Sequence, residues 1–175
     1  RGDFEATPER LSLTDVYLRV SDATLSVSGT LDHYLEKLDR ADLTLYGEIG
    51  PEGMQQIYDF MPLPPEVRIR SPVSLSKTHL FWEKNGKASF SGNLNVKQGP
   101  KVSVDLLHHS GEWIINPLVI EDETSRASML FRMKGNVFEL GFTGGLTKTT
   151  LDRLLLENRI LSGWIKGDFL TRLHL

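Results

Sequence analysis

Alternation of apolar and polar residues with period two runs through almost the whole chain, and it dictates strands with one buried face. Leu11 and Leu13 alternate, and Val16, Leu18 and Val20 continue one step out of phase. Leu25, Val27 and Leu31 follow, then Leu43, Leu45 and Ile49. Val67 and Ile69, Val73 and Leu75, and Leu80 and Trp82 carry the pattern on. Ala88, Phe90, Leu94 and Val96 extend it, as do Val102, Val104 and Leu106, then Leu118 to Ile120. The last two runs are Ala127 to Met133 and Phe138 to Phe142. Asn85-Gly86, Gly99-Pro100, Ser110-Gly111 and Gly135-Asn136 stand between runs as turns. Asn85-Gly86 is a strong hairpin signal, because both residues tolerate positive φ. The slip at Thr14-Asp15 predicts a bulge or tight bend, since a one-residue shift would otherwise turn every side chain to the other face. The expectation is a mainly β fold of about ten strands: a curved, antiparallel, repeat-built sheet with two or three short helices.

The helices are expected where the spacing changes to i, i+3, i+4. Met54, Ile57, Tyr58 and Met61 follow Gly50-Pro51, with Pro62, Pro64 and Pro65 as the stop. Leu151, Leu154, Leu155 and Asn158 follow Thr147 to Thr150, whose hydroxyls offer caps. Leu31, Tyr34, Leu35 and Leu38 form a third, weaker pattern. Such stripes bury themselves against an end or a face of a sheet.

Three stretches share one pattern of apolar, small, apolar, Ser or Thr, Gly, any residue and Leu: Leu25 to Leu31, Ala88 to Leu94 and Leu140 to Leu146. Their glycines are Gly29, Gly92 and Gly144. A glycine inside a strand weakens it unless it permits a bulge, a bend or close backbone approach. Its recurrence therefore predicts regular curvature and an internal repeat. Gly2-Asp3-Phe4 also recurs as Gly167-Asp168-Phe169. One domain, residues 1–175, is expected, with repeat units at about 1–50, 66–109 and 110–147 and the next opening at about 163. It reads as part of a longer array, because end repeats need neighbours to cover them.

Composition excludes several classes. With 20 Lys and Arg against 23 Asp and Glu, the net charge of -3 gives no electrostatic basis for nucleic-acid binding. The chain has no cysteine, which removes thiolate metal sites, thiol nucleophiles and disulfides. Its longest apolar stretch, Trp113 to Ile120, is of strand length and is broken by Asn116 and Pro117.

The polar motifs are weak. His108 and His109 are adjacent and cannot share one face of a strand, and His33, His79 and His174 lack ligand spacing. Glu121-Asp122-Glu123 lacks EF-hand spacing and reads as a solvated loop beside Arg126. Gly141-Phe142-Thr143-Gly144-Gly145 mimics a nucleophile elbow, yet its counterparts at Ser28 and Ser91 are ordinary strand positions. No phosphate loop, dinucleotide fingerprint or paired-carboxylate arrangement is present, and no catalytic residue, metal or cofactor is expected. Phe81, Trp82, Phe90, Met129, Phe131, Met133, Phe138 and Phe142 read either as core or as the lining of an apolar channel for acyl chains. Phe81 and Trp82 must point to opposite faces.

The Gly-Asp-Phe openings, the Leu-x-Val-x-Gly-x-Leu strands and Leu118 to Asp122 leading to Ser125-Arg126-Ala127 carry a family resemblance. So do Gly144-Gly145-Leu146, Leu151-Asp152-Arg153-Leu154 and the run Ile160 to Phe169. With them the chain resembles the AsmA-like superfamily of Gram-negative envelope proteins, in the carboxy-terminal region of its large members. The resemblance implies a long curved sheet with an apolar groove, in a periplasmic protein anchored in the inner membrane and concerned with phospholipid transport or outer-membrane assembly. Phospholipid acyl chains and neighbouring repeats of the same chain are the implied partners. The lipid-facing residues expected on this basis are Val27, Phe90, Phe131 and Phe142. A protein-interaction or assembly module with a fully packed core, acting through exposed sheet edges, is the alternative.

Overall fold

The computed structural model describes residues 2–60 and 65–174. Eleven strands form one open antiparallel sheet in strict sequence order. They are β1 (Asp3–Ala6), β2 (Arg10–Val20), β3 (Ala23–Asp32), β4 (Arg40–Ile49), β5 (Val73–Glu83) and β6 (Ala88–Val96). After these come β7 (Lys101–His109), β8 (Glu112–Glu121), β9 (Arg126–Lys134), β10 (Val137–Thr147) and β11 (Trp164–His174). Helix α1 (Pro51–Phe60) lies between β4 and β5, and α2 (Lys148–Leu154) between β10 and β11.

The Thr14-Asp15 slip is a bulge: the β2–β3 register shifts between Leu13 and Val16, and Asp15 has φ 49°. Similar shifts fall at Leu45/Gly47, Ser76/His79, Val104/Leu106 and Ile115/Leu118. Through the strand pairing these sites line up across the middle of the sheet, and bulges bend the strands that carry them. The three recurrent glycines share one role. A Cβ at Gly29 would stand 2.0 Å from the Asp42 carbonyl oxygen, one at Gly92 2.7 Å from Thr78 Oγ1, and one at Gly144 2.2 Å from the Arg126 carbonyl oxygen. At each, the neighbouring strand comes closer than any side chain would allow.

Three expectations are corrected. Leu31 lies in β3, which ends at Asp32, and the residues after it form a bend and turn rather than a helix. Val67 closes a short 3-10 turn and Ile69 makes only an isolated bridge to Leu155, so no strand forms there. The Glu121-Asp122-Glu123 loop is not simply solvated: the Asp122 side chain is 4% exposed and its nearest cation is Arg153, at 3.7 Å. Met61, Pro62 and Pro64 lie outside the described residues.

Connections alternate between the two ends of a meander, and here the ends differ. One end carries tight hairpins, at Asn85-Gly86, Ser110-Gly111 and Gly135-Asn136. The other carries both helices, which fold back over the sheet. Asp22, in the β2–β3 turn, caps α1 by accepting from the Glu52 and Gly53 amides at 2.9 and 2.8 Å. Thr147 caps α2 by accepting from the Thr150 amide. Asp122 Oδ1 accepts from the Thr124 and Ser125 amides at 2.8 and 2.9 Å, and Ser125 Oγ meets Thr150 Oγ1 at 2.6 Å, so the β8–β9 turn is tied to α2. Burial opposes ionisation of Asp122, yet these bonds outweigh it and hold its pKa below the usual carboxylate value.

The two helical connections also bind each other. The Arg70 amide donates to the Leu154 carbonyl and the Leu156 amide to the Arg68 carbonyl, while Arg153 Nε ties α2 to the β6–β7 turn by donating to the Gln98 carbonyl at 2.8 Å. Beneath this canopy lies the core. Met54 and Tyr58 of α1 and Leu151, Leu154 and Leu155 meet Ile49, Val73, Val96, Val102, Ile120, Ala127, Phe142 and Leu146 of the sheet.

Tyr58 fixes α1 to the returning chain, donating its hydroxyl to the Ile69 carbonyl at 2.8 Å and accepting from the Ile69 amide at 2.9 Å. Tyr58→Phe removes the hydroxyl that partners both the part-buried Ile69 amide and the Ile69 carbonyl. It is expected to lower unfolding free energy by roughly 1–3 kcal/mol in urea titrations, without changing the strand signal in circular dichroism.

Candidate functional site

Directly opposed residues in neighbouring strands share a face, so the registers assign every strand residue to one side of the sheet. One side is apolar from edge to edge. Phe4 opposes Leu13, Val16 opposes Val27, and Val27 opposes Leu45. Leu43 opposes Leu80, which opposes Phe90, which opposes Leu106. Ile115 opposes Phe131, which opposes Leu140, and Phe142 opposes Phe169. The other side is polar, with Ser26, Thr44, His79, Ser91 and Asp105 at alternate positions.

The polar side is laced with ion pairs. Glu112, Arg132, Glu139 and Arg172 form a ladder over β8 to β11, with Arg172 Nε 3.1 Å from Glu139 and Arg132 bonded to Glu112. That bond to Arg132 holds the Glu112 pKa below its ordinary value. His79 Nε2 lies 2.7 Å from Asp42, and this bond, aided by Arg40, lowers the Asp42 pKa. Phe81 is on this side, beneath the Arg40 and Lys87 cations at 5.0 and 5.2 Å, while Trp82 is on the apolar side as adjacency requires. Phe81 therefore lines no apolar channel.

The canopy covers only one end of the apolar side. Toward the hairpin end the side chains remain half-buried or open: Leu43, Leu80, Phe90, Leu106, Ile115, Phe131 and Leu140 are intermediate, and Trp113 and Met133 are both 43% exposed. Phe169 and Leu173 of β11, at 40% and 49%, prolong this strip to the sheet edge. The consequence is visible in the total surface. The chain exposes 11093 Å², whereas a closed monomer of 19.7 kDa exposes about 8,600 Å².

All four residues expected from the sequence lie on this apolar side, in two environments. Val27 and Phe142 are each 5% exposed; Phe142 belongs to the core beneath the canopy and stacks on Phe169 at 5.4 Å between ring centroids, whereas Val27 is buried in the sheet outside that core. Phe90 and Phe131 are half-buried and line the open part, where Phe131 tilts against Phe138 at 6.4 Å. Trp113, Phe169 and Leu173 were not anticipated. Pairing across the Ser110-Gly111 hairpin would have placed Trp113, since it sets Trp113 opposite His108, on which it stacks at 4.2 Å.

The strip carries little that could do chemistry. His108 is the titratable group on it, and His109 faces the other way. Among the described residues no three His, Asp or Glu side chains converge as a metal site would require. Among them also no helix is long and apolar enough to cross a membrane. What the geometry can do is hold an apolar, elongated molecule against a wall of aliphatic and aromatic side chains. Comparison of the chain with protein-family models, with curated proteins and with solved structures finds no match.

Proposed function

We propose that this chain is a non-enzymatic periplasmic module of an AsmA-like envelope protein, in which the open apolar side of the sheet cradles phospholipid acyl chains. The observation that carries this reading is the uncovered half of the apolar side, in a chain whose surface exceeds that of a closed monomer by about 30%. Monomeric proteins rarely leave a contiguous apolar strip of this extent in water without a partner for it. The dimensions suit a lipid. An acyl chain reaches about 15 Å, half the hydrocarbon thickness of a bilayer, and so lies across about three strands. Head groups would stay in water beyond the hairpins, and movement along the strip would be passive. In this reading the parent protein is anchored in the inner membrane, and the module serves lipid transport or outer-membrane assembly.

The test is native mass spectrometry with lipid extraction on protein purified from bacterial membranes and periplasm. Phospholipid is expected to co-purify, and Phe90→Asp or Phe131→Asp is expected to lose at least nine-tenths of it while the fold persists by circular dichroism. Protein that is lipid-free, and that also takes up no added phosphatidylethanolamine, would overturn the proposal in favour of an assembly module acting through its sheet edges.

A further inference from the structure

The open part of the apolar side changes chemistry from one row of residues to the next. In the second row from the hairpins Leu43, Leu80, Phe90 and Leu106 stand directly opposed across β4 to β7, all of them hydrocarbon. The last row before the hairpins runs Ala41, Trp82, Ala88, His108, Trp113 and Met133 over β4 to β9. It brings two indole nitrogens and an imidazole to the level where the sheet gives way to turns. Both ring types join an apolar body to a polar edge, which suits a boundary between apolar surface and water.

One place in that row is left open. Trp82, Ala88 and His108 oppose one another on three successive strands, so the two rings start about 10 Å apart with only a methyl group between them. Ala41, on the other flank of Trp82, is 5% exposed, whereas Ala88 is half-buried. The space over Ala88 is a notch between an indole and an imidazole, backed by Phe90 two residues along β6. On its far side His108 stacks against Trp113, with centroids 4.2 Å and planes 30° apart, which fixes the imidazole as one wall. Its nitrogens are unused. His33 lies 3.3 Å from Asp39 and His79 2.7 Å from Asp42, but among the described residues the His108 ring forms no hydrogen bond or ion pair. Its neighbours on the apolar side, Ala88, Leu106 and Trp113, carry no charge.

We infer that this notch is the head-group site of the strip, and that His108 donates an N–H to the phosphate of a bound glycerophospholipid. The inference rests on the lipid reading and adds which part of the lipid is recognised, and where. A phospholipid keeps its anionic oxygens near water while its chains lie on apolar surface. Chains laid along Phe90 and its row leave the phosphate over Ala88, beside a donor with no acid competing for it. Imidazole gives phosphate a hydrogen bond in either protonation state, and a charge-assisted one when protonated. The facing indole of Trp82 offers its ring to the ammonium of an ethanolamine head group. A diacylglycerol has the same chains and neither charge, so it occupies the strip without using the notch.

That difference supplies the test. Dioleoylphosphatidylethanolamine and dioleoylglycerol are offered to the whole chain in equimolar mixed micelles, and uptake is read by native mass spectrometry. The parent protein is expected to favour the phospholipid about tenfold, the worth of one charge-assisted hydrogen bond. His108→Leu keeps an apolar wall but no donor, and is expected to bring the ratio to about one while uptake of dioleoylglycerol, which reports an intact strip, stays unchanged. His108→Gln restores an N–H and is expected to recover part of the preference. A large excess of inorganic phosphate is expected to displace nothing; displacement would mean that the notch takes the free anion, against the inference. Equal uptake of the two lipids by the parent, or a preference that survives His108→Leu, would overturn the inference and leave the lipid reading standing. Uptake of neither lipid would end both.

Discussion

Gly29→Val is expected to destabilise the fold by about 3 kcal/mol or more, the sum of backbone strain and forced separation of two strands. Gly29 has φ 137°, which a β-branched residue does not adopt, and the new Cβ would stand 2.0 Å from the Asp42 carbonyl oxygen and 2.9 Å from Leu43 Cα. Both obstacles are backbone atoms in the middle of the sheet, so no side-chain rotation relieves them. Strand β4 would have to move, and with it the Asp42–His79 bond on the far side. Urea-induced unfolding followed by tryptophan fluorescence measures the loss. Gly163→Val is the control, because nothing lies within 4 Å of its added Cβ, and it is expected to stay within about 0.5 kcal/mol of the parent. Equal stabilities for the two variants would show that close strand approach at Gly29 is not required.

The second large effect separates the covered half of the apolar side from the open half. Phe142→Ala is expected to lower unfolding free energy by roughly 3–5 kcal/mol, since it leaves a cavity beneath the canopy that α2 cannot fill without breaking its caps. For a chain of this length that corresponds to a fall in melting temperature of about 10 °C. Phe131→Ala removes the same ring from the same side of the adjacent strand, but from a partly buried place outside the canopy. Being only partly buried rather than enclosed, it is expected to lose about 1–2 kcal/mol. If both substitutions destabilised equally, the hairpin end would be core rather than surface, and the lipid proposal would fail with it. If Phe131→Ala is mild for stability yet severe for lipid retention, one residue separates folding from binding.

These paired expectations follow from how the chain uses one pattern for two purposes. The alternation required Val27, Phe90, Phe131 and Phe142 to share a side only if every hairpin kept its register. The turn at Asn85-Gly86 and the slip at Thr14-Asp15 were readable because they are local, depending on φ preferences and on a phase change within a few residues. The α1 and α2 stripes were readable for the same reason, as was the divergence of Phe81 and Trp82. The 31–38 stripe misled because β3 pairs with β4 as far as Asp32 and Arg40, and this pairing overrides a weak helical spacing. Val67 and Ile69 alternate like a strand, yet they lie in the long connection whose backbone partners are Tyr58 and the segment after α2.

The sequence by itself therefore determined the meander, its two-sided character and the places where it bends, since each rests on contacts between near neighbours. Only the tertiary structure decided which half of the apolar side is covered. Core and groove demand the same alternation, and the choice depends on where two distant connections, held by Arg70, Arg153 and Tyr58, come to rest over the sheet.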